Sequence, residues 1–197
     1  MLAYTDVAWM DDKSAPASHV RHNLEGLTFA FPPAYLLSFV IDGDGEPVAA
    51  GDQLAFYARS RMPGVFGITY RSDRVDEATG SALAQHIQEY KQLRDTIADA
   101  NATLLSAQAP VPESGWDVMQ EVTATGESAI VFAFKASAED GRLLVRPRGL
   151  IADATYSVLS LDVGSLGEAS GATLMQDGIE LLHSGGSQAH VLILTAR

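Results

Sequence analysis

Apolar and polar positions alternate in two different ways along this chain, and the change of pattern divides it. In the first half, apolar runs of strand length are followed by helical stripes. Residues 2–7 read as a buried strand, and residues 17–30 as a helix on which His19, Asn23, Leu24, Leu27 and Phe31 recur at three- and four-residue spacing. Phe31-Pro32-Pro33 closes that helix, because proline forces the residue before it out of the helical region. Residues 35–41, Tyr-Leu-Leu-Ser-Phe-Val-Ile, form a nearly unbroken apolar run, the mark of a strand covered on both faces as in a parallel sheet. A loop over residues 42–47, a short helix over 52–61 and a third strand over 65–70 follow. Residues 81–98 predict the clearest helix, with Leu83, Ile87, Tyr90, Leu93 and Ile97 as its apolar stripe. Three strand-then-helix units in succession imply a parallel sheet with crossover helices.

After Pro110 and Pro112 no helical stripe recurs. Short apolar runs at 116–123, 128–135, 142–146, 155–162, 179–182 and 190–195 are separated by glycine turns, which predicts an antiparallel β-sandwich. The expected organisation is therefore α/β plus all-β, divided into residues 1–105 and 106–197. Three strand–helix units close no barrel by themselves, since a barrel of this type takes eight, so the remainder is expected upstream.

Composition narrows the partners. The 197 residues are 47% hydrophobic, enough for a packed core, and contain no cysteine, which removes disulfides, thiolate metal sites and a cysteine nucleophile. With 25 acidic against 13 basic residues the net charge is −12, unfavourable for nucleic acid and for anionic membranes. No cofactor and no metal is expected. The compartment and homo-oligomerisation are left open.

The candidate chemistry lies at the end of the first strand, in Trp9-Met10-Asp11-Asp12. Two adjacent carboxylates beside an indole suit a sugar-cleaving site, while the same acids would also serve to cap a helix that Pro16 begins. His19 and His22 stand three apart on the first helix, a metal-compatible spacing with no third ligand evident in the sequence. Asp42-Gly43-Asp44-Gly45-Glu46 lacks the spacing of a calcium loop and reads as a turn.

The order of segments resembles the C-terminal part of the retaining α-galactosidases of glycoside hydrolase family 36. The family's sixth barrel strand ends in W-x-S-D-N-T-D-P, and Trp9, Asp12 and Pro16 keep three of those positions. Phe31-Pro32-Pro33 resembles the lead-in to its seventh strand, and Phe66-Gly67 its eighth. Ile87, Tyr90-Lys91, Leu93-Arg94 and Ile97 resemble the signature of the last barrel helix. In the β region Gly149-Leu150 with Tyr156, and Gly171, Leu174-Met175 and Gly178, match in order. Departures fall at Asp11, Lys13, Ser14, Ala15 and Phe39, where the family has serine, asparagine, threonine, aspartate and histidine.

The resemblance implies part of a retaining glycosidase for terminal α-galactosides, with Asp12 as general acid/base and Trp9 and Asp11 at the sugar. Two carboxyl groups about 5–5.5 Å apart are needed for retention. The family's nucleophile motif, K-W-D, is absent here, so the isolated chain is expected to be inactive. The alternative is a non-catalytic carbohydrate-binding or scaffold remnant of the same fold.

Overall fold

A computed structural model describes residues 6–10, 17–41, 52–70, 73, 75–108, 115–135, 141–182 and 188–197. Three parallel strands, β1 (Ala8–Trp9), β2 (Leu36–Ile41) and β3 (Val65–Thr69), lie side by side in chain order. Helix α1 (Ala17–Leu27) connects the first pair and α2 (Asp52–Arg59) the second, while α3 (Glu77–Asp99) follows β3. The alternation predicted from the apolar runs is present, with shifted ends. Of the strand expected over residues 2–7, residues 2–5 lie outside the described residues, and Asp6 and Val7 are not part of β1, whose described pairing begins at Ala8. Its partner accounts for this: upstream of Leu36 the chain is a 3-10 turn, Pro33–Tyr35, which offers no extended ladder to pair with. Helix α3 begins at Glu77, four residues before the expected start at residue 81, because the Asp76 carboxylate accepts a hydrogen bond from the Thr79 amide at 2.7 Å and caps it.

The second half forms a six-stranded antiparallel sheet in the order β4-β5-β6-β11-β8-β9, with a separate pair, β7 and β10. Its strands are β4 (Ala100–Leu104), β5 (Trp116–Thr123), β6 (Ser128–Lys135), β7 (Arg142–Val145), β8 (Thr155–Ser160), β9 (Gly164–Ser170), β10 (Ile179–Leu182) and β11 (Ala189–Ala196). Strand β4, on the N-terminal side of the expected division at residue 105, is the edge of this sheet and pairs with β5. One expectation fails: the region beyond Trp116 was predicted free of helix, yet α4 (Gly171–Gln176) lies within it. Its six residues are too short to show a stripe, and the Ser170 hydroxyl starts it by accepting from the Thr173 amide.

The large sheet is covered on both faces. Ile130, Phe132 and Phe134 of β6 join a core with Leu36, Val40, Leu54, Leu93 and other residues of the parallel layer. The alternate residues Ala129, Val131 and Ala133 face a second core with Val145, Leu174, Ile179 and Leu181, from β7, α4 and β10. Residue period two thus sorts one strand between two cores, and the docking of the two halves is itself a hydrophobic interface.

The stripe of α3 needs a correction. Leu83, Leu93 and Ile97 are buried, but Ile87 is partly exposed, and His86 and Glu89 take the buried positions beside them. The packed face of the helix is rotated toward a polar partner, described next. Among the described residues no helix is long and apolar enough to cross a membrane.

Candidate functional site

Parallel strands deliver their C-terminal ends to one edge of a sheet, where binding sites of such layers concentrate. Trp9 is the last residue of β1, paired with Leu37 of β2. Its ring is 56% exposed and lies 4.7 Å from the ring of Phe39, tilted by 43°. Phe39 is buried and stands opposite Gly67 of β3, where even a Cβ would come within 3.2 Å of the Phe39 Cβ. Glycine on β3, phenylalanine on β2 and tryptophan on β1 thereby form an aromatic ledge on which Trp9 is more than half exposed. An indole face of this kind suits the C–H surface of a sugar. Asp11 and Asp12 follow Trp9 by two and three residues and lie outside the described residues, as does the loop 42–47.

The ledge is anchored from behind by Arg61. Its guanidinium is buried, donates from Nε to the Phe39 carbonyl at 2.8 Å and from Nη1 to the Tyr57 carbonyl at 2.8 Å, and sits 3.5 Å from the Tyr57 ring centroid. Burial lowers its pKa to about 10, so it remains a cation at neutral pH. At Gly64, with φ at +141°, a side chain would meet the Leu36 carbonyl at 2.6 Å, so only glycine lets β3 enter this close to β2. The Tyr90 hydroxyl donates to the Gly64 carbonyl at 3.0 Å and ties α3 to the same turn.

Two further polar clusters join the halves of the chain. In the first, Arg59 donates to both oxygens of Glu89, to Asp162 and to the Ala189 carbonyl, while His86 contacts Glu89 and His190 contacts Asp162. Hydrogen bonds from His86 and Arg59, helped by the charge of Arg59, outweigh burial and hold Glu89 down at about 2. In the second cluster, Arg21 of α1 donates from Nε to Asp117 Oδ2 of β5 at 2.9 Å, and Glu25 and His22 of α1 adjoin the same aspartate. Burial, reinforced by the neighbouring Asp117 charge, raises Glu25 to about 8. His19 is not part of this group and bonds Asn23 one turn along the helix.

With that geometry in place the comparisons are informative. Residues 116–194 match the glycosyl hydrolase family 36 C-terminal domain. That segment is similar to a family 36 β domain. The whole chain is also similar to part of solved family 36 structures. The α-galactosidase AgaB of Geobacillus stearothermophilus is 21% identical with a TM-score of 0.82, the match covering 100% of this chain and 26% of that one. The α-galactosidase of Lactobacillus brevis is 18% identical with a TM-score of 0.80, covering 100% and 27%. AgaA of G. stearothermophilus, solved with raffinose, is 20% identical with a TM-score of 0.80, again covering 100% and 27%; the same enzyme has been solved with stachyose. The chain spans about a quarter of the length of these relatives, and at such identities their likeness shows the fold. No curated protein matches the chain.

In the β domain of this chain the tyrosine of the glycine–leucine turn has a structural task. Tyr156 is fully buried, and its hydroxyl donates to the Gly126 carbonyl while accepting from the Ile151 amide at 2.8 Å. Sequence reading marked Trp9, Gly67, Tyr90 and Tyr156, and missed Arg59, Arg61, Glu89 and Asp117. The signal for Glu89 was present as His86-x-x-Glu89 and Leu93 at helical spacing. The arginines carry no such local mark, because their partners lie far away in the chain.

Proposed function

We propose that this chain is the C-terminal quarter of a retaining hydrolase of terminal α-galactosides, in which the parallel layer completes a (β/α)8 barrel and Asp12 is the general acid/base. The observation that carries this reading is the exposed Trp9 seated on Phe39 at the C-terminal end of β1, two residues before Asp11-Asp12 in the sequence. In a retaining mechanism one carboxylate attacks the anomeric carbon while a carboxylic acid protonates the departing oxygen, and the acid then activates water as a base. Asp12 fills the second role, and the nucleophile comes from the barrel portion upstream. The adjacent Asp11 charge favours the protonated form of the less solvated of the two acids, which suits a proton donor.

Trp9 offers its exposed ring to the sugar in this reading, so it acts in binding. In the complete protein Trp9→Ala should raise KM for raffinose about tenfold, the equivalent of about 1.4 kcal/mol, with a smaller change in kcat. An unchanged KM would remove Trp9 from the sugar site.

One observation favours the second reading, a carbohydrate-binding remnant without turnover. Phe39 stands where the resemblance has a histidine, so the described sheet edge is aromatic where a polar group would contact substrate. Incubating the complete protein with raffinose separates the two: released galactose supports the hydrolase, and binding without release supports the remnant.

A further inference from the structure

Helix α1 and strand β5 meet through three side chains that converge on one point. His22 and Glu25 are three residues apart on α1 and so share a face of that helix. Asp117 is the second residue of β5, from the other half of the chain. One ligating atom from each of the three lies within 4.8 Å of the others, and His22 Nε2 is 3.2 Å from Asp117 Oδ2. Glu25 and Asp117 are buried, and His22 is partly open to solvent.

The hydrogen bonds around the three are half complete. Glu25 Oε2 accepts from Gln108 Nε2 at 3.1 Å, and Asp117 Oδ2 accepts from Arg21 Nε at 2.9 Å. Glu25 Oε1 and Asp117 Oδ1 are buried atoms with no hydrogen-bond partner among the described residues, and His22 Nε2, also buried, has the 3.2 Å contact to Asp117 Oδ2 without hydrogen-bond geometry. Unsatisfied buried polar atoms are rare in folded proteins, so their meeting at one place requires an explanation. Arg21 reaches both carboxylates: its Nε lies 2.9 Å from Asp117 Oδ2 and 3.6 Å from Glu25 Oε1, and its guanidinium is 4.6 Å from the Phe134 ring centroid.

We propose that His22, Glu25 and Asp117 bind a divalent cation of the zinc class, which pins α1 of the parallel layer to β5 of the β domain. One imidazole nitrogen and two carboxylate oxygens suit Zn2+; calcium and magnesium take all-oxygen sets with more ligands, and copper(I) favours sulfur. The partly open side at His22 leaves room for a water as fourth ligand. Gln108 and Arg21 then have a defined task, Gln108 on Glu25 Oε2 and Arg21 on Asp117 Oδ2, orienting the two carboxylates as partners of metal-binding carboxylates commonly do. Gln108 Nε2 also bonds the His22 carbonyl at 2.9 Å, so the turn after β4 supports both ligands on α1. The proposed role is structural and independent of the catalytic reading: the site joins the two halves of the chain and uses neither Trp9 nor Asp12.

The test uses the complete protein, stripped with a chelator and titrated with Zn2+ and with Co2+ as a coloured substitute. Expected are one high-affinity metal per chain dependent on His22, a Co2+ spectrum of a low-symmetry nitrogen–oxygen site, and a higher melting temperature on addition of Zn2+. His22→Ala, on the partly exposed member, keeps the buried acids and should fold. It should weaken this binding by at least about 100-fold, the upper end of what a supporting partner alone costs, and abolish the melting shift. His19→Ala, one turn away, should leave both unchanged. Metal stoichiometry and affinity that are identical in wild type and His22→Ala, or no binding in wild type, would overturn the proposal.

Discussion

Arg59 at the end of α2 and Glu89 in the middle of α3 form a bidentate pair, Nε to Oε2 at 3.2 Å and Nη2 to Oε1 at 3.0 Å, with both side chains buried. The remaining nitrogen of the same guanidinium reaches Asp162 and the Ala189 carbonyl, each at 2.6 Å, so one arginine ties two helices of the parallel layer to the β domain. The planar fork is what permits this, and lysine could not reproduce it.

Removing that cation strands two carboxylates in the interior. Arg59→Met should destabilise the junction by about 3–5 kcal/mol, the range for a broken buried pair. Amide hydrogen exchange of α3 and β11 would read this as faster local opening. In wild type the stabilisation held by Glu89 is fully present above its unfolded value of 4.5 and is lost as pH falls from there toward about 2. Glu89→Gln should flatten that acid-side loss.

Glu121 predicts the opposite slope. It lies on β5 with both carboxyl oxygens buried and without a hydrogen-bond partner among the described residues, and burial pushes it up to about 8. Folded and unfolded chains are both protonated well below pH 4.5, so no penalty exists there. As pH rises from about 4.5 to about 8 the unfolded chain ionises and the folded one does not, and stability falls by about 1.4 kcal/mol per unit within that window. Glu121→Gln should remove this fall, seen as exchange rates of β5 and β6 amides compared with wild type at equal pH. Identical slopes in the two proteins would contradict a neutral Glu121.

Two glycines should respond in opposite directions. At Gly171 an added Cβ would lie 2.1 Å from the Ile151 carbonyl and 3.1 Å from the Tyr156 ring, backed by main chain that cannot yield, so Gly171→Ala should destabilise the β domain. Gly26 sits inside α1 with nothing within 4 Å of the added atom, so Gly26→Ala should stabilise by up to about 1 kcal/mol through helix propensity. Thermal unfolding of the two variants checks both signs.

Much of this architecture is readable in the sequence wherever apolar residues recur with a period. Leu36 to Ile41 and the strands at 116–123 and 128–135 are long, apolar and bounded by turns, and each lies where the pattern puts it. Strands β4 and β9 escaped because edge strands bury little: Ala100-Asn101-Ala102-Thr103-Leu104 continues directly from a helix, and Gly164 to Ser170 is largely exposed. The buried charges were illegible for a different reason. Arg59 finds Asp162 103 residues away and Arg21 finds Asp117 96 residues away, and nothing local in the chain announces such pairs. Of the candidate site, Trp9 and Gly67 were marked by their motif, but the ledge they form with Phe39 depends on parallel register, which only the folded sheet supplies.

The central proposal is that Asp12, three residues after Trp9 in the sequence, protonates a departing sugar oxygen. The direct measurement is the rate of the complete protein and of its Asp12→Asn variant on two α-galactosides, raffinose and an aryl galactoside whose phenolate departs without a proton. General-acid assistance contributes about 10²–10⁴-fold when the departing oxygen is basic and little when it is not. The account predicts a loss of that size on raffinose, a much smaller one on the aryl galactoside, and a milder effect of Asp11→Asn on both. Equal losses on the two substrates would assign Asp12 to binding or folding and contradict the claim.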